Sequence, residues 1–114
     1  MPEQGDIVLI PVPFTDLSSQ KRWPVIVISN NSYNRRTADM IVVAMTSNPA
    51  STEYGLRITS SDLESGSLNR PGQVRADKIY TLSQSIAVKT FGRVNTATLG
   101  RIRNALQNLV AQDT

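Results

Sequence analysis

The stretch Lys21–Ser47, KRWPVIVISNNSYNRRTADMIVVAMTS, determines how the rest of the chain is organised. It contains two short apolar runs, Val25–Ile28 and Ile41–Met45, whose β-branched residues predict buried strands. We expect the two strands to lie side by side at the centre of a sheet. If they are antiparallel, the start of the first lies beside the end of the second. Cations, hydroxyls and one indole then meet at one rigid rim of the sheet: Lys21, Arg22, Trp23, Thr46 and Ser47.

Segments on either side of this stretch predict four more short strands. Their ranges are Asp6–Phe14, bent near its two prolines, Gly55–Thr59, Val74–Thr81 and Val88–Val94. The strand at Val74–Thr81 should contain a bulge or twist, because its apolar residues do not keep to one face. In the last strand, Gly92 marks a point of close backbone approach.

Polar, turn-forming segments separate the strands, and a helix follows them. We predict loops at Thr15–Gln20, Asn30–Asp39 (with room for one helical turn), Asn48–Gly55, Ser60–Gly72 and Leu82–Ala87. After Asn95 or Thr96, either of which can cap a helix, apolar residues recur at helical spacing from Leu99 to Val110. This amphipathic helix should pack on the sheet or on a partner subunit. Five or six short strands followed by one helix indicate a mainly β fold, a small curled barrel.

Length and composition limit what the protein can be. With 114 residues, the chain fits a single domain spanning residues 1–114. The absence of cysteine and histidine excludes disulfides, thiolate metal sites, a cysteine nucleophile and an imidazole base. The N-terminus has no signal-peptide pattern and no run reaches the ~18 apolar residues of a membrane span, so we expect a soluble, cytoplasmic protein. The net charge of +3 mildly favours polyanionic partners.

The residues also exclude several kinds of catalytic site. The nine carboxylates are scattered along the chain without metal-ligand spacing, so we expect no metal and no cofactor. Phosphate-binding and dinucleotide-binding glycine motifs are absent. What remains is chemistry that cations and hydroxyls can perform on a phosphodiester. RNA allows this without metal, because its 2′-hydroxyl can attack the adjacent phosphorus while the protein orients the strand and stabilises the added negative charge.

Several motifs, in their order along the chain, resemble the MazF/PemK family of toxin-antitoxin ribonucleases. They are GDIVLIPVPF, the basic tetrapeptide KRWP, VIVIS, an apolar strand closing in MTS, and VRADKIYTL followed by the amphipathic helix. The match extends from Gly5 to Val110. The resemblance implies an SH3-like barrel, a homodimer, and metal-independent cleavage of single-stranded RNA or mRNA to a 2′,3′-cyclic phosphate and a 5′-hydroxyl. It also implies an acidic antitoxin that occupies the same groove, which the Thr15–Gln20 loop borders.

One departure from the family pattern falls at the candidate active site. The family's catalytic arginine stands immediately before the proline of KRWP, where this chain has Trp23. Arg22 lies one position earlier and, in a regular strand, would point to the opposite face. Either the strand starts irregularly and Arg22 reaches the site, or Lys21 or Arg75 supplies the charge, or the protein binds RNA and cleaves it poorly. The candidate catalytic residues are Arg22, Thr46, which matches the family threonine, and Ser47 beside it. The candidate RNA-binding residues are Lys21, Trp23, Arg75, Asp77 and Lys78.

Alternative interpretations stay open for individual residues and for the whole chain. Trp23 could stack on an unpaired base, cover the barrel mouth or meet the antitoxin, and Thr46 could simply end a strand. Arg35 and Arg36 could bind phosphate or be solvated. For the whole chain, the alternative is a non-catalytic binding module of the same fold, either a degenerate toxin or a gyrase-poison-like relative.

Overall fold

Seven strands and two helices make up the part of the chain that the computed structural model describes, residues 1–12, 21–47 and 53–113. The strands are β1 (Asp6–Pro11), β2 (Arg22–Val27), β3 (Asp39–Thr46), β4 (Gly55–Ile58), β5 (Leu63–Ser65), β6 (Gly72–Ser83) and β7 (Lys89–Val94). The helices are α1 (Asn31–Arg36) and α2 (Thr96–Leu109). All strand pairs are antiparallel and form one curled sheet in the order β4-β6-β3-β2-β1-β7-β5. The predicted mainly β, barrel-like fold with a C-terminal helix is confirmed.

The two apolar runs of the central stretch form neighbouring strands in the middle of this sheet, as predicted. β2 pairs with β3 in antiparallel register, with Val25 opposite Ala44 and Val27 opposite Val42. Val25, Val27 and Val42 have no solvent exposure. Because the strands are antiparallel, the start of β2 lies beside the end of β3, which places the polar residues that flank the two runs at the same rim.

The sheet buries apolar side chains on both faces. Side chains alternate along a strand. One set, which includes Ile26 and Val43, packs against Ile102 of α2. We call this side of the sheet the helix face. The other set includes Val25, Val27 and Val42 and is flanked by Tyr80, Leu82 and Ile86; we call this side the cleft face. A residue's position in its strand therefore decides whether it faces α2 or the opposite side.

α2 begins where the sequence predicted. The side chain of its N-cap residue, Asn95, accepts a hydrogen bond from the backbone N–H of Thr98. Ile102 is buried in the helix-face core, and Leu99 and Leu106 pack against that core. Val110, beyond the end of the helix, is 77% exposed. The apolar stripe thus packs on the sheet along most of the helix and leaves its last residue uncovered. No helix in the described ranges is long and apolar enough to cross a bilayer.

The sequence missed β5, which lies in the segment predicted as a long loop. This strand has three residues and pairs only with β7, far along the chain, so no local pattern marks it. The pairing depends on the close approach predicted at Gly92, whose added Cβ would lie 2.9 Å from the Ser65 carbonyl oxygen. Gly66 has φ +82°, and a Cβ there would lie 2.5 Å from the Phe91 carbonyl oxygen, so only glycine fits.

Other element boundaries also differ from the predictions. β6 continues to Ser83, and a 3₁₀ turn at Gln84–Ile86 follows it, so the predicted turn at Leu82–Ala87 starts too early. The Asn30–Asp39 segment contains a six-residue helix, α1, because the Asn30 side chain caps it by accepting from the Tyr33 N–H. The Thr15–Gln20 loop and the end of the first predicted strand, Pro13 and Phe14, lie outside the described residues.

Candidate active site

A cleft of about 570 Å³ opens where β2 starts and β3 ends. The β2–β3 ladder ends where Val25 pairs with Ala44, and Trp23 and Thr46 lie two residues beyond this pair on their strands. β6 supplies the third wall, since Gln73 pairs with Thr46 and Arg75 pairs with Ala44. The lining residues are Arg22, Trp23, Pro24, Ala44, Met45, Thr46, Ser47, Gln73, Arg75, Lys78 and Tyr80. The rim predicted from the two apolar runs is therefore a three-stranded cleft.

Strand alternation places three of the candidate residues on the cleft face. Val25, Val27 and Val42 belong to the cleft-face core. Because side chains alternate along a strand, Trp23 lies on the same face as Val25 and Val27, and Thr46 lies on the same face as Val42. Arg75 lies opposite Ala44, which has the same phase as Thr46. Indole, hydroxyl and guanidinium therefore share one side of the sheet.

Arg22 precedes Trp23 in β2 and therefore lies on the opposite face of the sheet. β2 pairs with β1 without a register shift from Ile26 to Arg22, which lies opposite Pro11. The strand is thus regular at its start, and alternation directs Arg22 to the side opposite Trp23. Arg22 is exposed and lies at the end of the cleft lining, where a long side chain can still reach a bound strand.

A bulge in β6 presents Arg75 to the cleft. The bulge also explains why the apolar residues of this strand do not keep to one face in the sequence. β3 residues Val43 and Ala44 are adjacent, but their partners are Ile79 and Arg75, so three β6 residues lie outside the ladder. Within this bulge Asp77 turns back towards Arg75. The predicted bulge or twist in this strand is confirmed.

Arg75 and Asp77 form a two-pronged ion pair. Nε and Nη2 of Arg75 donate to Oδ1 and Oδ2 of Asp77, each at 2.9 Å. These hydrogen bonds hold the pKa of Asp77 below its usual value, and the carboxylate raises the pKa of Arg75. Both groups are therefore charged at neutral pH. A fork of this kind fixes the guanidinium plane in one orientation.

The cleft is cationic and partly aromatic. Its described lining residues include Arg22, Arg75 and Lys78 and none that is acidic. Trp23 is 43% exposed, and Tyr80 lies deeper along the cleft face. Basic groups interleaved with aromatic rings are typical of surfaces that bind single-stranded nucleic acid. In the described ranges, carboxylates form no group of three that could hold a metal ion.

Six of the eight residues predicted as catalytic or RNA-binding line this cleft: Arg22, Trp23, Thr46, Ser47, Arg75 and Lys78. Lys21 is exposed just before β2 and is not part of the lining, and Asp77 holds Arg75. The sequence missed Gln73 and Tyr80. Their positions depend on how β6 pairs with β3 on each side of the bulge, which no local pattern reveals.

Arg35 and Arg36 lie elsewhere. They are exposed at the end of α1, which precedes β3, whereas the cleft lies at the end of that strand. An eight-residue strand spans roughly 25 Å at its usual rise per residue. The structure therefore does not bring this pair to the cleft.

Comparison with known proteins gives consistent matches over most of the chain. A family described as the PemK-like, MazF-like toxin of type II toxin-antitoxin systems matches residues 3–110. The chain is 32% identical over 83 residues to endoribonuclease MazF1 of Mycobacterium bovis, which covers 73% of each protein. It is similar to a solved mycobacterial endoribonuclease in complex with its cognate antitoxin, with TM-score 0.76, 27% identity and coverage of 99% and 100%. A MazE-MazF crystal structure from Deinococcus radiodurans shares the fold, with TM-score 0.77, 23% identity and 98% coverage of both chains.

Proposed function

The chain belongs to the PemK-like, MazF-like toxin family of type II toxin-antitoxin systems, and from this premise we propose that it is an endoribonuclease that cleaves single-stranded RNA without a metal ion. The observation that carries the proposal is that Trp23, Thr46 and Arg75 share one face of a cationic cleft. Those groups suit a polyanion with unpaired bases, and the Mycobacterium bovis relative is named an endoribonuclease.

Arg75 is the residue we assign to charge stabilisation at the cleaved phosphate. A guanidinium has five N–H donors, and Asp77 takes two of them. The remaining three can donate to the phosphate oxygens, whose negative charge rises in the transition state. Because Asp77 already fixes the guanidinium plane, little reorganisation accompanies the reaction.

The chemistry follows from the RNA itself. The 2′-oxygen forms a bond to the adjacent phosphorus and loses its proton, while the bond from phosphorus to the 5′-oxygen breaks and that oxygen gains a proton. The products are a 2′,3′-cyclic phosphate and a 5′-hydroxyl. Thr46 donates a hydrogen bond to the phosphate, and Ser47 lies beside it at the rim. With no histidine in the chain, proton transfer uses water or the hydroxyl groups.

The other basic residues bind the strand on either side of the reacting phosphate. Lys78 lines the cleft, and Lys21 lies at its outer edge. Arg22 remains a candidate catalytic residue, but its phase in β2 favours a phosphate contact at the rim. Proteins that track a single strand use such cations together with aromatic platforms.

Partners and oligomeric state follow from the family. We propose that a cognate antitoxin with acidic segments occupies the cleft and blocks RNA, as the antitoxin-bound mycobacterial neighbour suggests. We also propose a cytoplasmic homodimer. Leu109 and Val110, 36% and 77% exposed, and Tyr54, 47% exposed, provide uncovered apolar surface that a second subunit could bury.

A second candidate function is a non-catalytic RNA-binding module. Trp23 favours it, because a neutral indole lines the cleft that holds Thr46, where a cation would stabilise a phosphate most directly. In that case the wild-type protein binds RNA without cleaving it, and Trp23→Arg restores or sharply raises cleavage.

The test is to incubate the purified protein with a long single-stranded RNA in EDTA and to map the new ends. We expect cleavage that leaves 2′,3′-cyclic phosphates and 5′-hydroxyls. The control is the Thr46→Ala/Arg75→Gln double variant purified in the same way, which separates the chain's own activity from a contaminating nuclease. Cleavage that requires magnesium, or that leaves 5′-phosphates, contradicts the proposal, and RNA binding without cleavage supports the non-catalytic module.

A further inference from the structure

Trp23 is a large apolar side chain that the fold keeps exposed. Its indole is 43% exposed, although Val25 and Val27, the next residues of the same phase in β2, are fully buried. The surrounding lining combines apolar side chains with charged and polar ones, Arg75, Lys78 and Gln73 among them. An indole among cations is unusual for a surface that only has to be soluble, because burial would stabilise it.

The backbone that carries this indole is fixed by its neighbours. Trp23 pairs with Ile10 of β1, and Ile10 is fully buried. On its other side, the β2–β3 ladder ends at the Val25–Ala44 pair, and Thr46 lies beyond it at the end of β3. Trp23 and Thr46 both line the cleft. The ring is thus presented from a paired strand into the cleft that Thr46 also lines.

We infer that Trp23 is a base-stacking subsite that selects the nucleotide next to the reacting phosphate and favours a purine there. The inference rests on the proposed function and deepens it. With phosphate at Thr46 and Arg75, the base of an adjacent nucleotide reaches the neighbouring indole. That base must be unpaired, because both faces of a base in a duplex are already stacked. Every base has a π-face that can stack on the indole. Purines present more π surface than pyrimidines, so the expected preference for them is modest.

The positive charge of the cleft would suit an acidic peptide as well as RNA. The indole of Trp23 distinguishes these two ligands. Carboxylates gain nothing from an aromatic face, whereas every nucleobase does. The cleft combines the aromatic face with a guanidinium fork, and this pairing matches a nucleotide's base and phosphate together. We therefore assign the subsite to RNA and make peptide binding an outcome of the test.

Trp23 is the only tryptophan in the sequence, so the intrinsic tryptophan fluorescence of the protein reports on this residue alone. We would titrate the protein with 2′-deoxy heptamers, which cannot be cleaved by 2′-hydroxyl attack: an adenine heptamer, a thymine heptamer and an abasic heptamer. The adenine heptamer should quench the fluorescence most and bind most tightly. The thymine heptamer should quench it less, and the abasic heptamer should hardly quench it. Equal quenching by all three, or stronger quenching by an acidic glutamate peptide than by the adenine heptamer, overturns the inference.

Variants make the same test without indole fluorescence, using the anisotropy of fluorescein-labelled heptamers. Trp23→Ala should bind the adenine heptamer about 5- to 150-fold more weakly, the range that corresponds to stacking energies of about 1–3 kcal/mol. It should bind the abasic heptamer as well as the wild type does. Trp23→Phe should retain most of the affinity. The control is Tyr33→Ala, a partly exposed aromatic residue that lines a different groove, at the other end of the β2–β3 pair.

Two patterns of variant results overturn the inference. One is an equal loss of affinity for the adenine and abasic heptamers in Trp23→Ala, which would indicate a structural role. The other is an equal loss of affinity for the adenine heptamer in Trp23→Ala and Tyr33→Ala. If Trp23→Ala does not fold, the quenching series on the wild type and the Trp23→Phe comparison still decide the question.

Failure of this inference can be told apart from failure of the proposed function. If the wild-type protein cleaves RNA in EDTA but quenching does not depend on the bases, the stacking subsite is refuted and the nuclease stands. If quenching depends on the bases but no RNA is cleaved, the subsite stands and the nuclease is refuted. Absence of both refutes both.

Discussion

The two ends of the β2–β3 pair are built differently although the same two strands form them. At the far end, where β2 stops and β3 starts, polar side chains are buried and bonded to one another. Ser29 Oγ donates to Asn34 Oδ1, and Asn34 Nδ2 donates back to the Ser29 carbonyl. Gln84 Nε2 lies 2.7–3.1 Å from the carbonyl oxygens of Asn34, Thr37 and Asp39. The buried polar groups at this end are satisfied by hydrogen bonds within the protein.

At the cleft end, by contrast, polar and aromatic side chains face solvent. Trp23 and Ser47 are exposed, and Asp77 takes two of the donors of Arg75. Buried polar groups bonded to one another stabilise a fold, whereas exposed polar and aromatic side chains on a rigid sheet can contact a ligand. We therefore propose that the far end mainly contributes stability and that the cleft end binds the ligand. Substitutions at the two ends should therefore affect different measurements.

The largest expected effect is on cleavage at the cleft end. Arg75→Gln should lower the single-turnover cleavage rate about 10²–10³-fold, because it removes a donor to the transition state. Arg36→Gln, at the far end, should leave the rate unchanged. The cleavage rate of Arg22→Gln should lie between the rates of Arg75→Gln and Arg36→Gln. A loss of rate as large as that of Arg75→Gln would assign Arg22 a catalytic role. Circular dichroism checks that each variant is folded.

A smaller effect is expected on stability at the far end. Asn34 is 1% exposed, and Asn34→Ala should lower the free energy of unfolding by about 1–3 kcal/mol, because it leaves buried partners unsatisfied. Urea denaturation measures this, with exposed Asn104→Ala as the control. The cleavage rate per folded molecule should not change. A lower rate at full folding would show that the far end also acts in catalysis.

The smallest expected effect concerns the ion pair that orients Arg75. The folded-state pKa of Asp77 is lowered, so its stabilising contribution is present above the unfolded pKa of about 3.9 and is lost as pH falls through the folded value. Both side chains are 25% exposed, so the contribution of the pair to stability should be small. Asp77→Asn should therefore unfold slightly more easily than the wild type at pH 5–8, and the two should converge as the pH falls below the folded-state pKa of Asp77. A stability difference that grows as pH falls would contradict the assignment.

The sequence predicted the site better than it predicted the periphery of the sheet. The apolar runs at Val25–Ile28 and Ile41–Met45 are local signals, and antiparallel pairing alone brings the start of β2 and the end of β3 to one rim. The sequence predicts a bulge or twist in Val74–Thr81, but the Arg75–Asp77 fork also depends on where β6 pairs with β3 on each side of that bulge. β5 required pairing with β7, where Gly66 and Gly92 permit close approach. Features that depend on partners distant in sequence leave no local periodicity, so they could not be predicted from sequence.

Side-chain NMR during titration with an uncleavable RNA analogue tests the division between the two ends most directly. The single indole N–H signal reports on Trp23, and the side-chain amide signals of Asn34 and Gln84 report on the far end. We predict that the 2′-deoxy adenine heptamer shifts the Trp23 signal in a saturable manner and leaves the Asn34 and Gln84 signals in place. A saturable shift at Asn34 and Gln84 with the Trp23 signal unchanged would contradict the account, because RNA would then bind at the end we assign to stability.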